Sequence, residues 1–261
     1  MKKRYIGVFD SGLGGLTTVR EIVSELPDEN IVFLGDTLNM PYGSKTKEEI
    51  IGFTKHNIEM LRRFDLKALV IACNTSDANA HMEVSQAYDL PIFGVIGSAV
   101  KEALRVTENN RIGVLATDLT VRSGAYEKQI KELNSDAQVF QVACPLLVPL
   151  IEKGELLDDR DHLEEVLRSY LKDLDGKNID TLILGCTHYD LLMEMTSGIM
   201  PGVKIVSSSR CVVNDLKDQL QAEKNCEAPA TRKFYVSSKP ERFRRMASQI
   251  IKDIEIEKII G

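Results

Sequence analysis

Short apolar runs alternate along the chain with longer segments in which apolar residues recur at helical spacing. In the first part of the chain, the apolar runs predict strands at about residues 5–9, 31–35, 68–73 and 92–96. The segments between them predict helices at about residues 15–26, 46–64 and 76–88. This order is typical of a mostly parallel sheet with helices on both faces, so we predict an α/β fold.

The same succession of elements begins again after about residue 98. Further strands are predicted at about 111–116, 138–143, 181–185 and 203–206, and further helices at about 120–133, 160–173 and 190–199. The triplet Ile-Gly-Val occurs at 6–8 and again at 112–114, an offset of 112 − 6 = 106. We therefore predict two similar α/β lobes, 1–97 and 98–207. A last segment, 208–261, contains a helix, a strand at 233–236 and a closing amphipathic helix.

Composition narrows the class of protein. The net charge of the 261-residue chain is −6 and its basic residues are scattered, so no nucleic-acid partner is expected. The apolar runs end after about eight residues, whereas a membrane-spanning helix needs roughly twenty. The N-terminus has no signal-peptide pattern. We therefore expect a cytoplasmic protein with no membrane partner.

The cysteines give no support for a disulfide framework or a metal site. Their number is odd, which argues against paired disulfides in a chain of cytosolic character. No metal is expected, because neither a CxxC nor an HxxxH spacing occurs. Three of the five have no counterpart in the other lobe. We interpret Cys144 as structural, and Cys211 and Cys226 as incidental.

Cys73 and Cys186 are different, because they hold matching places in the two predicted lobes. Each ends an apolar run, precedes short polar residues and opens a predicted helix, in KALVIACNT and TLILGCTHY. Either cysteine alone would most often be a small buried hydrophobic residue. The repetition favours reactive thiols, since a helix N-terminus lowers the pKa of a thiol. Two such acid/base groups suit a reaction that removes a proton from one face of a carbon and returns one to the other.

Other candidate residues follow predicted strands, where open α/β sheets bind ligands. The loop DSGLGG after the first strand lacks both the Walker lysine and the GxGxxG pattern, so a simple tight turn is the alternative. A carboxylate at the tip of that strand, Asp10, is suited to orient an ammonium group or a thiol. The polar residues and the glycine at the strand ends are Asp10, Ser11, Tyr42, Gly43, Asn74, Thr75 and Thr187.

His188 and Glu152 are candidates with plain alternatives. His188 lies two residues after Cys186 and is a plausible proton-transfer partner for it. On its own, it would be interpreted as an exposed loop histidine. Glu152 closes an apolar run that begins at Cys144, a place equally typical of a surface residue.

Taken together and in order, several segments resemble the glutamate racemases of the aspartate/glutamate racemase superfamily. They cover essentially the whole chain: DSGLGGLT (10–17), GDT (35–37), PYGSK (41–45), ACNT (72–75), RSGAY (122–126), CPLLVPLIEKGE (144–155), LGCTHY (184–189) and FYVSSKPERF (234–243). The resemblance implies two pseudo-symmetric flavodoxin-like lobes with mostly parallel sheets and a site in the cleft between them. It also implies that the segment 208–261 returns to the first lobe.

The same resemblance implies a reaction and a set of roles. The reaction is the interconversion of L-glutamate and D-glutamate without a cofactor, supplying D-glutamate for peptidoglycan synthesis. Cys73 would act on the D-enantiomer with the help of Asp10, and Cys186 on the L-enantiomer with the help of His188 and Glu152. The implied substrate-binding residues are Asp10, Ser11, Tyr42, Gly43, Asn74, Thr75, Thr187 and His188. A homodimer is common in this family.

Some positions depart from the family pattern. Asp190 stands in place of a common proline, Ser207–Ser209 in place of a common Asp-Ser pair, and Gly97 near a position that is commonly acidic. Asp77 is a further departure, and we expect it to point outward on its helix. Two alternatives stay open. One is a racemase of aspartate or another small amino acid; the other is a non-catalytic flavodoxin-like protein for binding or redox chemistry.

Overall fold

The computed structural model describes residues 3–220, 229–238, 240–248, 250–251 and 255–258. Within these ranges the chain forms two parallel sheets, one of six strands and one of four, with helices packed on them. This arrangement confirms the predicted α/β fold of two lobes. No helix in the described ranges is both long enough and apolar enough to cross a membrane.

The first sheet begins with four strands that alternate with helices. The strands are β1 (Tyr5–Asp10), β2 (Ile31–Gly35), β3 (Leu66–Ile71) and β4 (Ile92–Gly94). The helices are α1 (Gly15–Glu25), α2 (Lys47–Leu61), α3 (Asn74–Ala87) and α4 (Val95–Val106). The sequence pattern did not predict α4, and it extended the fourth strand to residue 96. Both errors have one cause: a short apolar run does not distinguish a buried strand from the start of a buried helix.

The second sheet repeats this plan. Its strands are β5 (Arg111–Ala116), β6 (Gln138–Ala143), β7 (Thr181–Gly185) and β8 (Lys204–Ser207). The helices are α5 (Asp118–Ser123), α6 (Ala125–Leu133), α7 (Leu147–Lys153), α8 (Glu155–Asp158), α9 (Arg160–Leu171) and α10 (Met193–Ile199). The predicted helix 120–133 is divided into α5 and α6 by Gly124. Its φ of 66° lies in the left-handed region, which glycine adopts without strain.

The C-terminal segment extends the first sheet. It contains α11 (Ser208–Leu220), β9 (Arg232–Val236), α12 (Pro240–Ala247) and β10 (Ile256–Lys258). Strand β9 pairs in parallel with β2, and β10 pairs with β9. The pattern did not predict β10, which is only three residues long. The predicted lobe boundary at residue 98 falls inside α4, and Cys226 lies outside the described residues.

Strands β2-β1-β3-β4 of the first sheet have the same order as the four strands of the second sheet, and this shared order explains where a ligand would bind. The order is β10-β9-β2-β1-β3-β4 in the first sheet and β6-β5-β7-β8 in the second, so β1 corresponds to β5 and β3 to β7. The chain leaves β1 toward β2 on one side and reaches β3 on the other. Such a reversal opens a crevice at the carboxyl ends of the two strands. One crevice lies beside Asp10 and Cys73, and the equivalent crevice lies beside Cys186.

Asp77 is buried within the first lobe, so the expectation that it points outward was wrong. Its carboxylate accepts a hydrogen bond from the backbone N–H of Ile96 at 2.7 Å, and it lies 2.6 Å from Nδ1 of His81. The carboxylate therefore satisfies the N-terminus of α4, where the helix dipole favours negative charge. The periodicity of α3 alone does not reveal this contact, because Ile96 lies on a different helix.

We predict that Asp77→Ala lowers the free energy of unfolding by about 2 kcal/mol, since it leaves the buried N–H of Ile96 without an acceptor. The hydrogen bond to Asp77 also raises the pKa of His81. The stability that this pairing adds is fully present below the ordinary histidine pKa of about 6.5. It is lost as the pH rises through the pKa of His81 in the folded protein. The loss caused by Asp77→Ala should therefore be larger at acidic than at alkaline pH.

Denaturant unfolding at several pH values measures this loss. Glu48→Ala is the matched control, because Glu48 is an exposed acidic residue in the first turn of α2. Glu48→Ala should lower the free energy of unfolding by less than about 1 kcal/mol. Equal losses in the two variants would contradict the capping role of Asp77.

Candidate active site

A cavity of about 400 Å³ lies at the carboxyl ends of the strands and is lined by residues of both lobes. Its volume falls in the usual range for small-molecule sites. The structure brings most of the predicted residues together in its wall: Ser11, Tyr42, Gly43, Cys73, Asn74, Thr75, Cys186, Thr187 and His188. Asp10 and Glu152 contact residues of this wall from behind.

Cys73 lies in the first-lobe half of the wall, directly before α3. Its Sγ is 3.7 Å from Oγ of Ser11. Asp10, at the end of β1, is fully buried. Its carboxylate accepts hydrogen bonds from the backbone N–H of Gly12 at 3.0 Å and from the hydroxyl of Thr187 at 3.3 Å. Asp10 thus connects the first lobe to the segment that carries Cys186.

The pKa of the Cys73 thiol is raised, so the expectation of a lowered value was wrong. Burial raises this pKa to about 12, and the charge of Asp10 acts in the same direction. The backbone N–H and hydroxyl of Ser76, in the first turn of α3, oppose the change, as a helix N-terminus should. Loss of water outweighs them. Cys73 is therefore a thiol at neutral pH.

Cys186 lies in the second-lobe half, where β7 ends. A 3₁₀ helix, Thr187–Leu192, follows it directly, and the helix predicted near 190–199 begins at Met193 as α10. His188 is only 2% exposed. Its Nδ1 is 3.8 Å from Sγ of Cys186, and its Nε2 is 2.7 Å from Oε1 of Glu152. Glu152 also accepts a hydrogen bond from the backbone N–H of Leu13 at 3.1 Å. His188 is therefore not an exposed loop histidine, and Glu152 is not simply a surface residue that ends an apolar run.

The environment of His188 favours its charged form. Burial alone would lower the pKa of His188, but the hydrogen bonds to Cys186 and Glu152 raise it well above the ordinary value. As an imidazolium, the ring donates from both nitrogens, to the thiol sulfur and to the carboxylate. A positive charge next to sulfur stabilises a thiolate. The two cysteines therefore have opposite electrostatic neighbours: Asp10 for Cys73 and His188 for Cys186.

The glycine-rich loop permits close contact between the lobes. A Cβ on Gly14 would lie 2.6 Å from Nδ1 of His188, and a Cβ on Gly12 would lie 2.8 Å from Oε1 of Glu152. Side chains at these positions would force the His188–Glu152 pair away from the first lobe. The loop is therefore more than the tight turn that the sequence pattern left as an alternative.

Tyr42 and Gly43 form a short 3₁₀ turn on the first-lobe side of the cavity. The hydroxyl of Tyr42 donates to Oδ2 of Asp36 at 2.6 Å and accepts from Nδ2 of Asn57 at 3.1 Å. This hydroxyl is therefore engaged within its own lobe. A Cβ on Gly43 would lie 3.0 Å from Cβ of Thr117, so the turn packs closely against the second lobe.

Thr117 lines the cavity, although the sequence pattern did not single it out. It is the N-cap of α5, and its hydroxyl lies 2.9 Å from the hydroxyls of both Thr75 and Thr120. The internal repeat contains the missed signal. Subtracting the offset gives 117 − 106 = 11, so Thr117 is the second-lobe counterpart of Ser11.

The other lining residues were also missed. Cys144 is fully buried there, and its Sγ lies 3.6 Å from the carbonyl oxygen of Val142. Burial raises the pKa of Cys144, so it is a neutral part of the wall. Cys211 is buried in α11, away from this wall. The remaining lining residues are Met40, Pro41, Ser44, Asp118, Pro145, Val148 and Pro149.

Two of the departures from the family pattern lie against each other behind the site. Asp190 is buried, and burial raises its pKa to about 6. Ser207 and Ser209 lie close to this carboxylate and oppose the increase in its pKa. A buried carboxylate at position 190 is therefore accompanied by hydroxyl-bearing residues at 207 and 209.

We predict that Glu152→Gln lowers the pKa of His188, because a neutral acceptor no longer favours the charged imidazole. Titration of the ring signals by ¹H–¹³C NMR measures this pKa. Glu155→Gln is the matched control, since Oε2 of Glu155 lies 2.8 Å from Nδ1 of the exposed His162. The control should leave the pKa of His188 unchanged. An unchanged pKa in Glu152→Gln itself would contradict the assigned pairing.

Comparison with known proteins agrees with this geometry. The family model Asp/Glu/Hydantoin racemase matches residues 6–216. A glutamate racemase of Persephonella marina is 41% identical over 257 residues, which cover 97% of this chain and 96% of that protein. The crystal structure of a glutamate racemase isoform from Bacillus anthracis has a TM-score of 0.93 at 35% identity, covering 100% of this chain and 98% of that one.

A second crystal structure, of the glutamate racemase of Francisella tularensis in complex with D-glutamate, has a TM-score of 0.91 at 35% identity. The match covers 100% of this chain and 98% of that one. Similarity of this extent leaves no part of the fold unmatched. The chain therefore belongs to the Asp/Glu/Hydantoin racemase family and groups within it with the glutamate racemases, which are isomerases.

Proposed function

We propose that this protein interconverts L-glutamate and D-glutamate by a two-base mechanism in which Cys73 and Cys186 are the acid/base residues. One observation carries the proposal. The two thiols come from corresponding strands of the two lobes, and both line one cavity of small-molecule size. Similarity to glutamate racemases over nearly the full length supports glutamate as the substrate.

The reaction needs no net change of atoms or electrons. In the L-to-D direction, the thiolate of Cys186 removes the α-proton and leaves its electron pair on the substrate as a carbanion. The thiol of Cys73 then gives its proton to the opposite face of that carbon and becomes the thiolate. The reverse direction exchanges the two roles. The enzyme returns to its starting form by proton exchange, so no oxidant or reductant is required.

The neighbours of each sulfur support this assignment. The imidazolium of His188 lies beside the sulfur of Cys186, whereas burial and the charge of Asp10 raise the pKa of the Cys73 thiol. The ammonium group of a bound substrate would offset the charge of Asp10, and so would help Cys73 to become a thiolate when D-glutamate binds.

The α-proton of an amino acid is a very weak acid, so the carbanion needs strong stabilisation. Donors already in place can supply it, because they do not have to reorganise during the reaction. We propose that the side chains of Ser11, Asn74, Thr75 and Thr117 donate to the carboxylates of the substrate. Thr187 would donate through its backbone N–H, because its hydroxyl donates to Asp10. The first turn of α3, which begins at Asn74, adds backbone N–H groups. A buried cavity strengthens each of these interactions.

We further propose that the reaction proceeds in the cytoplasm without a cofactor and supplies D-glutamate for peptidoglycan synthesis. The full-length similarity to glutamate racemases supports that role. An aspartate racemase is the alternative within the superfamily, and comparison of the rates with glutamate and aspartate separates the two. Tight zinc binding, or a native disulfide between Cys73 and Cys186, would instead support a metal or redox protein.

We predict that the purified protein racemises L-glutamate with no added cofactor, and that Cys73→Ala and Cys186→Ala each lower the rate at least about 1,000-fold. Each variant lacks one of the two proton carriers, and water in a closed site is a poor replacement for a positioned base. Circular dichroism of the glutamate solution follows the loss of optical activity over time.

Cys211→Ala is the control, because Cys211 is also a buried thiol but lies outside the cavity. It should retain the rate of the wild-type enzyme. Near wild-type activity in either cavity variant would refute the two-base assignment. No activity of the wild-type protein toward glutamate or aspartate would refute the proposed function as a whole.

A further inference from the structure

Tyr126 ends the segment RSGAY, to which the roles above assign no function. It lies in α6 of the second lobe and is fully buried. Its hydroxyl donates a hydrogen bond of 2.6 Å to Oδ1 of Asn74. Asn74 directly follows Cys73 and lines the cavity. A side chain of the second lobe therefore holds a cavity residue of the first lobe.

The ring of Tyr126 also lies against the segment that leads to Cys186. A Cβ on Gly185, the last residue of β7, would be 3.0 Å from Cε2 of this ring. The ring can approach so closely only because residue 185 has no side chain. Tyr126 thus contacts the residue that follows one reactive cysteine and the residue that precedes the other.

The protonation state of Tyr126 determines the orientation of the Asn74 amide. Burial raises the pKa of Tyr126 well above its usual value, and the charge of Asp77 acts in the same direction. The hydroxyl is therefore neutral and donates to the carbonyl oxygen of the amide. The amide nitrogen then donates on its own side, with one N–H directed to Oγ of Ser208 at 3.3 Å. Its second N–H can donate to a ligand in the cavity.

We propose that Tyr126 is a positioning residue for racemisation. Through its hydroxyl it fixes the Asn74 amide so that an N–H, and not the carbonyl oxygen, faces a substrate carboxylate. Through its ring it sets the position of the Cys186 segment relative to Cys73. The proposal rests on the proposed function, because it needs Asn74 to bind the substrate. Without the hydrogen bond from Tyr126, the amide can rotate and present its oxygen to a carboxylate, which is repulsive.

The test is a double-mutant cycle of Tyr126→Phe and Asn74→Ala. Phenylalanine keeps the ring against Gly185 and removes only the hydroxyl. Tyr126→Phe should lower kcat/KM roughly tenfold, which is the size expected for one lost hydrogen bond. In the Asn74→Ala background the same change should alter kcat/KM less than about twofold, since the hydroxyl has no amide left to orient. Thermal unfolding of each variant verifies that it folds.

Tyr189→Phe is the matched control for loss of a buried tyrosine hydroxyl in the same lobe. Tyr189 is fully buried, and its hydroxyl donates to the carbonyl oxygen of Cys144 at 2.9 Å. It does not contact Asn74 through this bond. Its effect on kcat/KM should therefore be the same in the wild-type and Asn74→Ala backgrounds.

Three kinetic outcomes would overturn the proposal. Tyr126→Phe has the wild-type rate, or it lowers the rate equally in both backgrounds, or Asn74→Ala itself has the wild-type rate. If the wild-type protein racemises neither glutamate nor aspartate, the proposed function fails instead. Crystal structures of the wild-type protein and Tyr126→Phe then decide the positioning claim. A changed torsion of the Asn74 side chain supports it, and an unchanged side chain overturns it.

Discussion

Removal of water from the cavity between the lobes is the constraint on which the rest of the site depends. A buried thiol resists ionisation, and a buried imidazolium or carboxylate needs a partner of opposite charge or a set of hydrogen-bond donors. Cys73 shows the first effect, because its pKa is raised despite its place before a helix. His188 shows the second, because its pairing with Glu152 and Cys186 outweighs the cost of its burial.

The two lobes provide the same scaffold but different surroundings. Their equivalent strand orders bring Cys73 and Cys186 to equivalent crevices. The side chains around the strand ends then remove the equivalence, since Asp10 is the last residue of β1 in the first lobe and Glu152 reaches His188 from α7 of the second. Contacts between the lobes hold these side chains in place. One example is the hydrogen bond that the backbone N–H of Leu13 donates to Glu152. A reaction that treats the two faces of one carbon alike can therefore use two bases with different electrostatic neighbours.

Local pattern and internal repetition were sufficient to predict most of the strands, the pair of cysteines and nine of the eighteen residues that line the cavity. Contacts between residues far apart in sequence were not predictable in this way. The burial of Asp77 depends on α4, and the raised pKa of Cys73 depends on how completely the two lobes exclude water. Thr117 is an intermediate case, because the repeat that pairs it with Ser11 is visible in the sequence.

The distribution of deuterium early in the reaction tests the two-base claim most directly. L-glutamate is incubated with the protein in deuterium oxide and sampled before about a tenth of it has reacted, and each enantiomer is then analysed by mass spectrometry. With one base on each face, the D-glutamate formed should carry solvent deuterium while the remaining L-glutamate keeps its original hydrogen. A product that retains the substrate hydrogen, or deuterium in both enantiomers from the start, would indicate a single base and would contradict the account.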